Sequence, residues 1–327
     1  MKRVLGFGNA LVDLLIQMKD DSLIKQLNLP KGSMTMVDES QADHISEIIK
    51  DMDVPKVSGG SAANTIHGIA KLGQPCGYIG KINNDDLGDF FKQDLANAGI
   101  DANLLIGESK TGRASTFIST DSERTFATFL GAAVEMNDAE LNSSMFKGYD
   151  VFHIEGYLIY NTVLTEQALK LAKEQNMLIS IDLASYNVVE DNLAFLQRII
   201  PEYVDIVFAN EEESKAYTSK EPAEALEVIS EQCAIAIVKI GKDGSMIKTN
   251  GEVTKIGVIK CSPIDTTGAG DAYAAGFIYG YLNDLSMEQS GKIAALVSGK
   301  VIEKYGARIP DADWPAILNT VKTIQEN

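Results

Sequence analysis

The 327-residue sequence predicts a three-layer α/β/α fold, in which helices cover both faces of a doubly wound, mainly parallel sheet. Three observations support this prediction. From residue 76 onward, strand-like apolar runs alternate with helix-like runs, as in successive βαβ units. Two segments, at 14–37 and 111–130, interrupt this alternation with shorter β-like pieces that could form a small separate sheet, a lid over the main domain. No stretch rich in Pro, Gly and Ser divides the chain into independent domains.

The predicted elements follow one another closely along the chain. The strand-like runs lie at 76–82, 151–156, 178–183, 205–209 and 234–240. The helix-like runs lie at 85–98, 162–175, 190–199, 211–217, 222–232 and 286–304. Within the second β-like segment, a polar turn at residues 121–123 separates two alternating runs, which predicts a hairpin.

Composition limits the classes of function. Hydrophobic residues make up 45% of the chain, so a full core can be buried, but no 18-residue apolar run exists to span a membrane. The net charge of −17, without a basic block, disfavours binding to nucleic acid. The three cysteines, Cys76, Cys233 and Cys261, are odd in number and far apart, so they predict neither a disulfide framework nor a metal site. We expect a cytoplasmic protein that binds neither membranes nor nucleic acid.

The strongest chemical signal lies at 265–277, where a polar run beginning at Asp265 meets two glycines and a carboxylate. Glycines that open a helix leave N–H groups directed outward at the positive end of the helix dipole, and this geometry holds phosphate. Asp271 directly follows these glycines, and a carboxylate there makes sense as a base that takes a proton from an attacking hydroxyl. A plain turn with Asp271 as helix cap or first-turn acid fits equally well. This stretch alone leaves both interpretations open.

Two polar residues follow the first predicted strand. The run ends at Gly8, and Asn9 and Asp13 then stand at its carboxyl end, where open α/β sheets bind ligands. The spacing Gly6-x-Gly8 lacks the third glycine of a dinucleotide fingerprint, so we reject that interpretation. Asn9 and Asp13 fit a binding loop and an ordinary loop equally well.

A pair of glycines opens the helix that follows. Gly59 and Gly60 precede a run of small and apolar residues, and Asn64 lies one turn into this helix. Paired glycines let the backbone approach a ligand closely. The alternative is a tight turn with Ser61 as the helix cap.

Two further candidates follow strands in the second half of the chain. Asn210 and Glu213 stand three residues apart at a helix start, where Glu213 could hold a hydrated Mg²⁺ through water, although an Asn cap and first-turn acids describe any well-formed helix start. Lys239 ends a strand, and the turn containing Gly241 and Gly244 either joins two strands or lets the backbone pass close to a nucleotide. The chain has no Gly-x-x-x-x-Gly-Lys-Ser/Thr motif, which excludes a P-loop.

Together these motifs resemble the ribokinase-like (PfkB) family of sugar and nucleoside kinases over nearly the whole chain. The segment 265–271 resembles the family's carboxyl-terminal signature, and Gly59-Gly60 with Asn64 resembles its amino-terminal signature. Asn210-x-x-Glu213 is similar to its magnesium and phosphate motif. The resemblance implies a ribokinase-like fold with a core of residues 1–10, 38–104 and 131–327 and a lid of residues 11–37 and 105–130.

The resemblance also implies a role for each candidate residue. Asp271 would deprotonate the attacking hydroxyl, and the anion hole would consist of the N–H groups of Gly268, Ala269 and Gly270. The sugar hydroxyls would be held by Asn9, Asp13, Gly59, Gly60 and Asn64. Mg²⁺ and its waters would be ordered by Asn210 and Glu213. ATP would lie along Lys239, Gly241, Gly244 and Thr266, with residues near Ser298 facing the adenine. Potassium would bind near Asp265.

The substrate and one arginine leave alternatives open. Residues 8–13, 123–125 and 130–133 look closest to adenosine-kinase-like members, which favours a nucleoside phosphorylated at its 5′-hydroxyl. A free sugar such as fructose or ribose is the alternative acceptor, and a non-catalytic nucleoside or sugar sensor is a further alternative. Arg124, on a predicted lid strand, could add positive charge over the transferring phosphoryl or be a solvated hairpin arginine.

The lid also leaves its substrate contacts and the oligomeric state open. It offers Phe117, Phe126 and Phe129 as a wall for a base, but an alternating strand directs them to both faces. We expect a monomer or a homodimer formed through the lid.

Overall fold

The computed structural model describes residues 1–121 and 123–326, so Ser122 in the predicted hairpin turn lies outside the described residues. The strands, in chain order, are β1 (Val4–Phe7), β2 (Leu11–Gln17), β3 (Met34–Met36), β4 (Lys56–Gly59), β5 (Cys76–Ile82), β6 (Asp101–Ile106), β7 (Gly112–Ile118), β8 (Arg124–Phe129), β9 (Val151–Glu155), β10 (Leu178–Asp182), β11 (Ile206–Ala209), β12 (Ile235–Lys239), β13 (Ser245–Thr249) and β14 (Glu252–Ile256). The α-helices are α1 (Ser22–Gln26), α2 (Glu39–Ile49), α3 (Ser61–Lys71), α4 (Asp86–Asn97), α5 (Thr162–Glu174), α6 (Tyr186–Asp191), α7 (Leu193–Tyr203), α8 (Glu211–Thr218), α9 (Pro222–Ser230), α10 (Ala269–Leu282), α11 (Met287–Val301) and α12 (Trp314–Glu326).

A large, mainly parallel sheet forms the centre of the molecule. Within the described residues it has the strand order β14-β13-β12-β11-β10-β9-β1-β5-β6, and only β13 and β14 run antiparallel to their neighbours. One face packs on α3 and α10, with Ile66 and Phe277 in the core, and the other packs on α5 and α7, with Leu169 and Ile199. Helices on both faces bury strands such as β5 and β9 completely, which explains their continuous apolar runs. The predicted doubly wound fold is confirmed.

The predicted elements match this sheet closely. The strand predicted at 76–82 is β5, and the helix predicted at 162–175 is α5. The helix predicted at 190–199 is in fact two helices, α6 and α7, because the backbone leaves helical geometry at Asn192.

A second, smaller sheet has the strand order β3-β8-β7-β2-β4. The strands β2, β3, β7 and β8 come from the segments predicted for the lid. The strand β4 comes from residues 38–104, which were predicted for the core, and it pairs antiparallel with β2, with Gly59 opposite Leu11. The residues of β4, Lys-Val-Ser-Gly, include a single strongly apolar side chain, so the sequence did not separate this strand from the turn that follows it. Residues 105 and 106 end β6 in the large sheet, not in the lid as predicted.

The two sheets meet where β1 leads through Asn9 into β2 and where β4 leads through Gly60 into α3. Gly60 has a positive φ of 96°, and a Cβ at this position would overlap the carbonyl oxygen of Asn9. The glycine is therefore needed for the start of α3 to lie against the β1–β2 connection. The helices α3 and α10 start side by side here, because Thr65 Oγ1 donates a hydrogen bond to the carbonyl oxygen of Asp271 at 3.2 Å. No helix among the described residues is long and apolar enough to cross a membrane.

Candidate active site

A cleft of about 1590 Å³ lies between the small sheet and the carboxyl ends of the parallel strands. Most of the sequence-predicted site residues line it, namely Asn9, Asp13, Gly60, Asn64, Asn210, Glu213, Lys239, Gly241, Gly244, Thr266, Gly268, Ala269, Gly270, Asp271 and Ser298. Three predicted residues, Gly59, Arg124 and Asp265, are not among the lining residues, although each is next to one in sequence or in contact with one. The fold thus brings segments from every part of the chain to one cleft.

Asp271 stands in the first turn of α10 with both carboxylate oxygens hydrogen-bonded from α3. Ser61 Oγ donates to Oδ1 at 2.7 Å, and Asn64 Nδ2 donates to Oδ2 at 3.0 Å. The helix cap is Gly268, not Asp271, so the cap interpretation of this carboxylate does not describe the structure. Burial raises the pKa of Asp271 to about 6, although the hydrogen bonds from Ser61 and Asn64 lower it in part. A carboxylate with this pKa is ionised at neutral pH and able to accept a proton.

The start of α10 provides N–H groups beside this carboxylate. Gly268 has a φ of 74°, and a Cβ there would lie 2.6 Å from Cβ of Ala307, so only glycine fits. Within the described chain, no acceptor is bonded to the N–H groups of Gly268 and Gly270. The N–H of Ala269 instead donates to the carbonyl oxygen of Thr266 at 3.2 Å, which corrects the predicted three-residue anion hole to two of its members. Ser298 also serves the helix, since its hydroxyl donates to the carbonyl oxygen of Ala269 at 2.9 Å.

Arg124 connects the small sheet to the loop before α10. Its Nη1 donates to Thr267 Oγ1 at 2.8 Å, and its guanidinium forms an ion pair with Asp265. The two side chains are only 9% and 3% exposed, so the interpretation of Arg124 as a solvated hairpin arginine is wrong. The guanidinium therefore holds Thr267, which directly precedes Gly268 at the start of α10, and its charge is paired with that of Asp265.

Asp265 fits K⁺ poorly in this arrangement. Its Oδ1 accepts from the N–H of Thr267 at 3.0 Å and its Oδ2 from the N–H of Gly306 at 2.6 Å, in addition to the ion pair with Arg124. The carboxylate is therefore already neutralised and hydrogen-bonded, and we derive no step through K⁺.

Lys239 lies beside the start of α10. Its Nζ is 2.9 Å from Asp182 Oδ2 and would be 3.0 Å from a Cβ added to Gly270. Burial alone would lower the pKa of Lys239, but the neighbouring carboxylates of Asp182 and Glu213 raise it above its usual value. The lysine is thus a buried ammonium next to the N–H groups that face the cleft.

Asp182 is a cleft residue that our sequence reasoning missed. Asp182 is the last residue of β10, and Asn9 and Asp13 likewise follow the end of β1. Its position at the carboxyl end of a predicted strand was therefore a usable signal. Besides Lys239, it accepts a hydrogen bond from the N–H of Ala184 at 2.9 Å.

Asn210 and Glu213 form the helix cap that was the alternative interpretation of this pair. Asn210 Oδ1 accepts from the N–H of Glu213 at 2.9 Å, while Glu213 accepts from the N–H and Nδ2 of Asn210, both at 2.7 Å. The described residues contain no group of three or more His, Cys, Asp or Glu side chains that could hold a metal. Glu213 and Asp182 both line the cleft, so these carboxylates suit a hydrated Mg²⁺ that keeps its waters and phosphate ligands.

Glu155 is a second cleft residue that our sequence reasoning missed, and it organises the loop after β1. It accepts hydrogen bonds from the N–H of Asn9 at 2.9 Å, from Asn9 Nδ2 at 2.7 Å and from the N–H of Ala62 at 2.9 Å. Burial raises the pKa of Glu155 to about 7, although these donors lower it in part. Glu155 therefore fixes the end of β1 against the start of α3. The sequence feature that could have identified it is a carboxylate at the end of an apolar strand.

The carboxylate of Asp13 remains available to a ligand. It lines the cleft, and no described residue donates a hydrogen bond to it. Burial raises its pKa to about 7, while the guanidinium of Arg308 lowers the pKa in part. A buried carboxylate without a donor suits hydroxyl groups of a substrate, which would supply the missing hydrogen bonds.

The small sheet contributes an apolar wall to the cleft. Of the three phenylalanines proposed for this role, Phe126 lines the cleft, Phe117 is fully buried in the core, and Phe129 lies against Arg113. The other apolar wall residues include Leu11, Met34, Met36 and Met136. Met34 and Met36 are 57% and 52% exposed, so their side chains are accessible from the cleft.

Comparison with known proteins places the chain in a class of enzymes. The chain is a phosphotransferase that uses an alcohol group as acceptor. It belongs to the pfkB family of carbohydrate kinases, whose family model matches residues 28–314, and the predicted family is confirmed. Kinases of this family use ATP and Mg²⁺ in general.

Individual relatives differ in their acceptors. The adenosine kinase from Sinorhizobium meliloti is 31% identical, with a TM-score of 0.86 over 98% of this chain and 99% of that chain. A probable sugar kinase from Rhizobium etli CFN 42 is 30% identical, with a TM-score of 0.85 over 97% of this chain and 99% of that one. An uncharacterised sugar kinase from Archaeoglobus fulgidus is 29% identical over 243 residues, which cover 74% of this chain and 96% of the relative. Similarity alone does not separate a nucleoside from a sugar.

Proposed function

We propose that this protein transfers the γ-phosphoryl group of ATP to the 5′-hydroxyl of an adenosine-like nucleoside, with Asp271 as general base. The observation that carries the proposal is the position of Asp271, which is held on both oxygens at the start of α10 and faces the cleft. The nucleoside assignment rests on the apolar wall that the small sheet adds to the same cleft.

The proposed reaction follows from this geometry. Asp271 takes the proton of the acceptor hydroxyl, whose oxygen forms a bond to the γ-phosphorus while the bond to the β–γ bridging oxygen breaks and ADP leaves. The N–H groups of Gly268 and Gly270 and the ammonium of Lys239 stabilise the negative charge on the transferring group. Mg²⁺, held through water by Asp182 and Glu213, would neutralise the phosphate oxygens of ATP.

The acceptor would lie between Asp13 and the small sheet. Asp13 would accept hydrogen bonds from the ribose hydroxyls, and Asn9 has an Oδ1 atom left for the same purpose. Phe126, Met34 and Met36 would cover the base, which a free sugar lacks. The sugar-kinase alternative is favoured by the polar residues alone, since Asp13 and Asn9 suit any polyol.

An assay with matched acceptors distinguishes these alternatives. We expect adenosine to be phosphorylated with a kcat/KM about 10–100-fold above that of ribose or fructose, because burying the base against apolar side chains contributes about 1.5–3 kcal/mol. The variant Phe126→Ala should lower kcat/KM for adenosine but not for a free sugar, so the free sugar serves as the control. A higher value for ribose or fructose would favour the sugar-kinase alternative. Nucleoside binding without any turnover would favour the non-catalytic sensor.

The pH dependence of turnover tests the protonation state of Asp271. Below its pKa of about 6 the carboxyl is protonated and cannot accept a proton, so kcat/KM should fall as the pH decreases through about 6. Ser61 donates to the carboxylate form and thereby lowers this pKa, so Ser61→Ala should move the acid limb of the profile upward. The measurement is kcat/KM between pH 5 and pH 9 for both proteins. A limb that moves downward in the variant would contradict the assignment.

A further inference from the structure

Arg308, in the loop between α11 and α12, does not line the cleft, although its charge acts on Asp13. Its side chain is 10% exposed. Burial lowers its pKa to about 10, although Asp94, Asp13 and Asp271 raise it in part, so the guanidinium is charged at neutral pH. A buried charge of this kind is retained at a cost in desolvation, which makes its partners informative.

The guanidinium of Arg308 contacts two elements that shape the site. Its Nε donates to Asn64 Oδ1 at 3.0 Å, and its Nη2 donates to the carbonyl oxygen and Oγ of Ser58 at 2.7 and 2.9 Å. Its Nη1 lies 3.8 Å from Asp94. One planar group therefore ties β4 to the first turn of α3.

These contacts determine the orientation of the Asn64 amide. A guanidinium can only donate hydrogen bonds, so the atom of Asn64 that faces it must be the oxygen. An ionised carboxylate can only accept, so the atom that faces Asp271 must be the nitrogen. Asn64 lies between these two groups. If its amide were reversed, its nitrogen would face the donor groups of Arg308 and its oxygen would face the carboxylate of Asp271.

We propose that Arg308 is a positioning residue that directs the amide nitrogen of Asn64 onto Asp271 and so fixes the carboxylate for proton transfer. Without the guanidinium, Oδ1 of Asn64 loses its donor, so only the contact with Asp271 still orients the amide and the side chain is free to turn away from the carboxylate. The carboxylate would then keep only the hydrogen bond from Ser61. This inference rests on the proposed function, because it assigns a support to the proposed base.

The decisive measurement is a double-mutant cycle on kcat with Arg308→Met, Asn64→Ala and the combined variant. If Arg308 acts through Asn64, we expect Arg308→Met to lower kcat about 10-fold or more in the wild-type background and to have almost no effect in the Asn64→Ala background. The KM for ATP should change little in either. Equal effects in both backgrounds would overturn the proposal.

Arg308→Lys separates orientation from charge. Lysine keeps the positive charge near Asp13 and Asp94 but lacks the planar fork that serves Ser58 and Asn64 together. We expect its kcat to fall with that of Arg308→Met. Full activity in Arg308→Lys would show that charge alone suffices and would overturn the proposal. Arg113→Met is the matched control, since Arg113 is another buried arginine, paired with Asp43 away from the cleft, and its loss should reduce thermal stability without moving the acid limb of the pH profile.

A second readout does not depend on turnover. The titration of the Asp271 carboxyl carbon, followed by ¹³C NMR and assigned with Asp271→Asn, should show a higher pKa in Arg308→Lys, because a donor to the carboxylate is lost. The charged or titratable groups around Asp271 are Asp13, Glu155, Tyr157, Asp182, Lys239 and Arg308. All but Arg308 are unchanged in this variant, and Arg308→Lys keeps its charge. An unchanged pKa would overturn the proposal, whereas a wild-type protein without turnover would overturn only the proposed function.

Discussion

Replacing Asp271 with asparagine is expected to lower kcat by about 10²–10⁴-fold, the usual contribution of a general base. Asparagine has nearly the same shape but cannot take the proton of the acceptor hydroxyl. The KM for ATP should change little, because the N–H groups of Gly268 and Gly270 and the ammonium of Lys239 remain. The measurement is steady-state turnover with ATP and adenosine.

A matched control separates this role from that of an ordinary first-turn acid. Asp86 stands in the first turn of α4, is exposed, and is not among the residues that line the cleft. Asp86→Asn should leave kcat unchanged, because it alters only a helix-dipole interaction. Turnover of Asp271→Asn close to that of the wild type would exclude Asp271 as the base.

Replacing Arg124 with methionine is expected to have the second-largest effect. Asp265 would be left buried without its partner, which costs about 3–5 kcal/mol in the free energy of unfolding. We also expect kcat to fall about 10²-fold, because the guanidinium no longer holds Thr267, which directly precedes the N–H groups at the start of α10. Chemical denaturation and steady-state turnover measure the two effects separately.

The double variant Arg124→Met with Asp265→Asn distinguishes the structural effect from the catalytic one. Removing the unpaired carboxylate charge should restore most of the stability, because the neutral amide is cheaper to bury. It should not restore kcat, since the guanidinium is still absent. Recovery of both stability and kcat would mean that Arg124 serves only to neutralise Asp265.

Most of the large sheet could be predicted from the sequence because its signals are local. Buried parallel strands such as β5 and β9 are continuous apolar runs, and amphipathic helices such as α5 repeat every 3.6 residues. The strand β4 could not be separated in this way, because its sequence Lys-Val-Ser-Gly is not an apolar run as those of β1 and β11 are. Its membership in the small sheet depends on pairing with β2, more than 40 residues away in sequence.

The residues of the candidate site could be predicted where they belong to a recognisable motif. Asp271, Gly268 and Gly60 were found because glycines and a carboxylate at a helix start have a specific geometric use. Glu155 and Asp182 were missed, although each ends a predicted strand, because a single acid after an apolar run is a weak signal. Arg308 had no local signal at all.

The sequence by itself determined the fold class, the family and the identity of the proposed base, since hydrophobic periodicity and glycine spacing are properties of short segments. Only the tertiary structure decided how these groups are held and charged. It placed Arg124 against Asp265, bonded the N–H of Ala269 to the carbonyl oxygen of Thr266, and set Asn64 between Arg308 and Asp271, which are separated from it by 244 and 207 residues. Contacts of this kind depend on the packing of distant segments and on the loss of water around buried charges, and neither leaves a pattern in neighbouring residues.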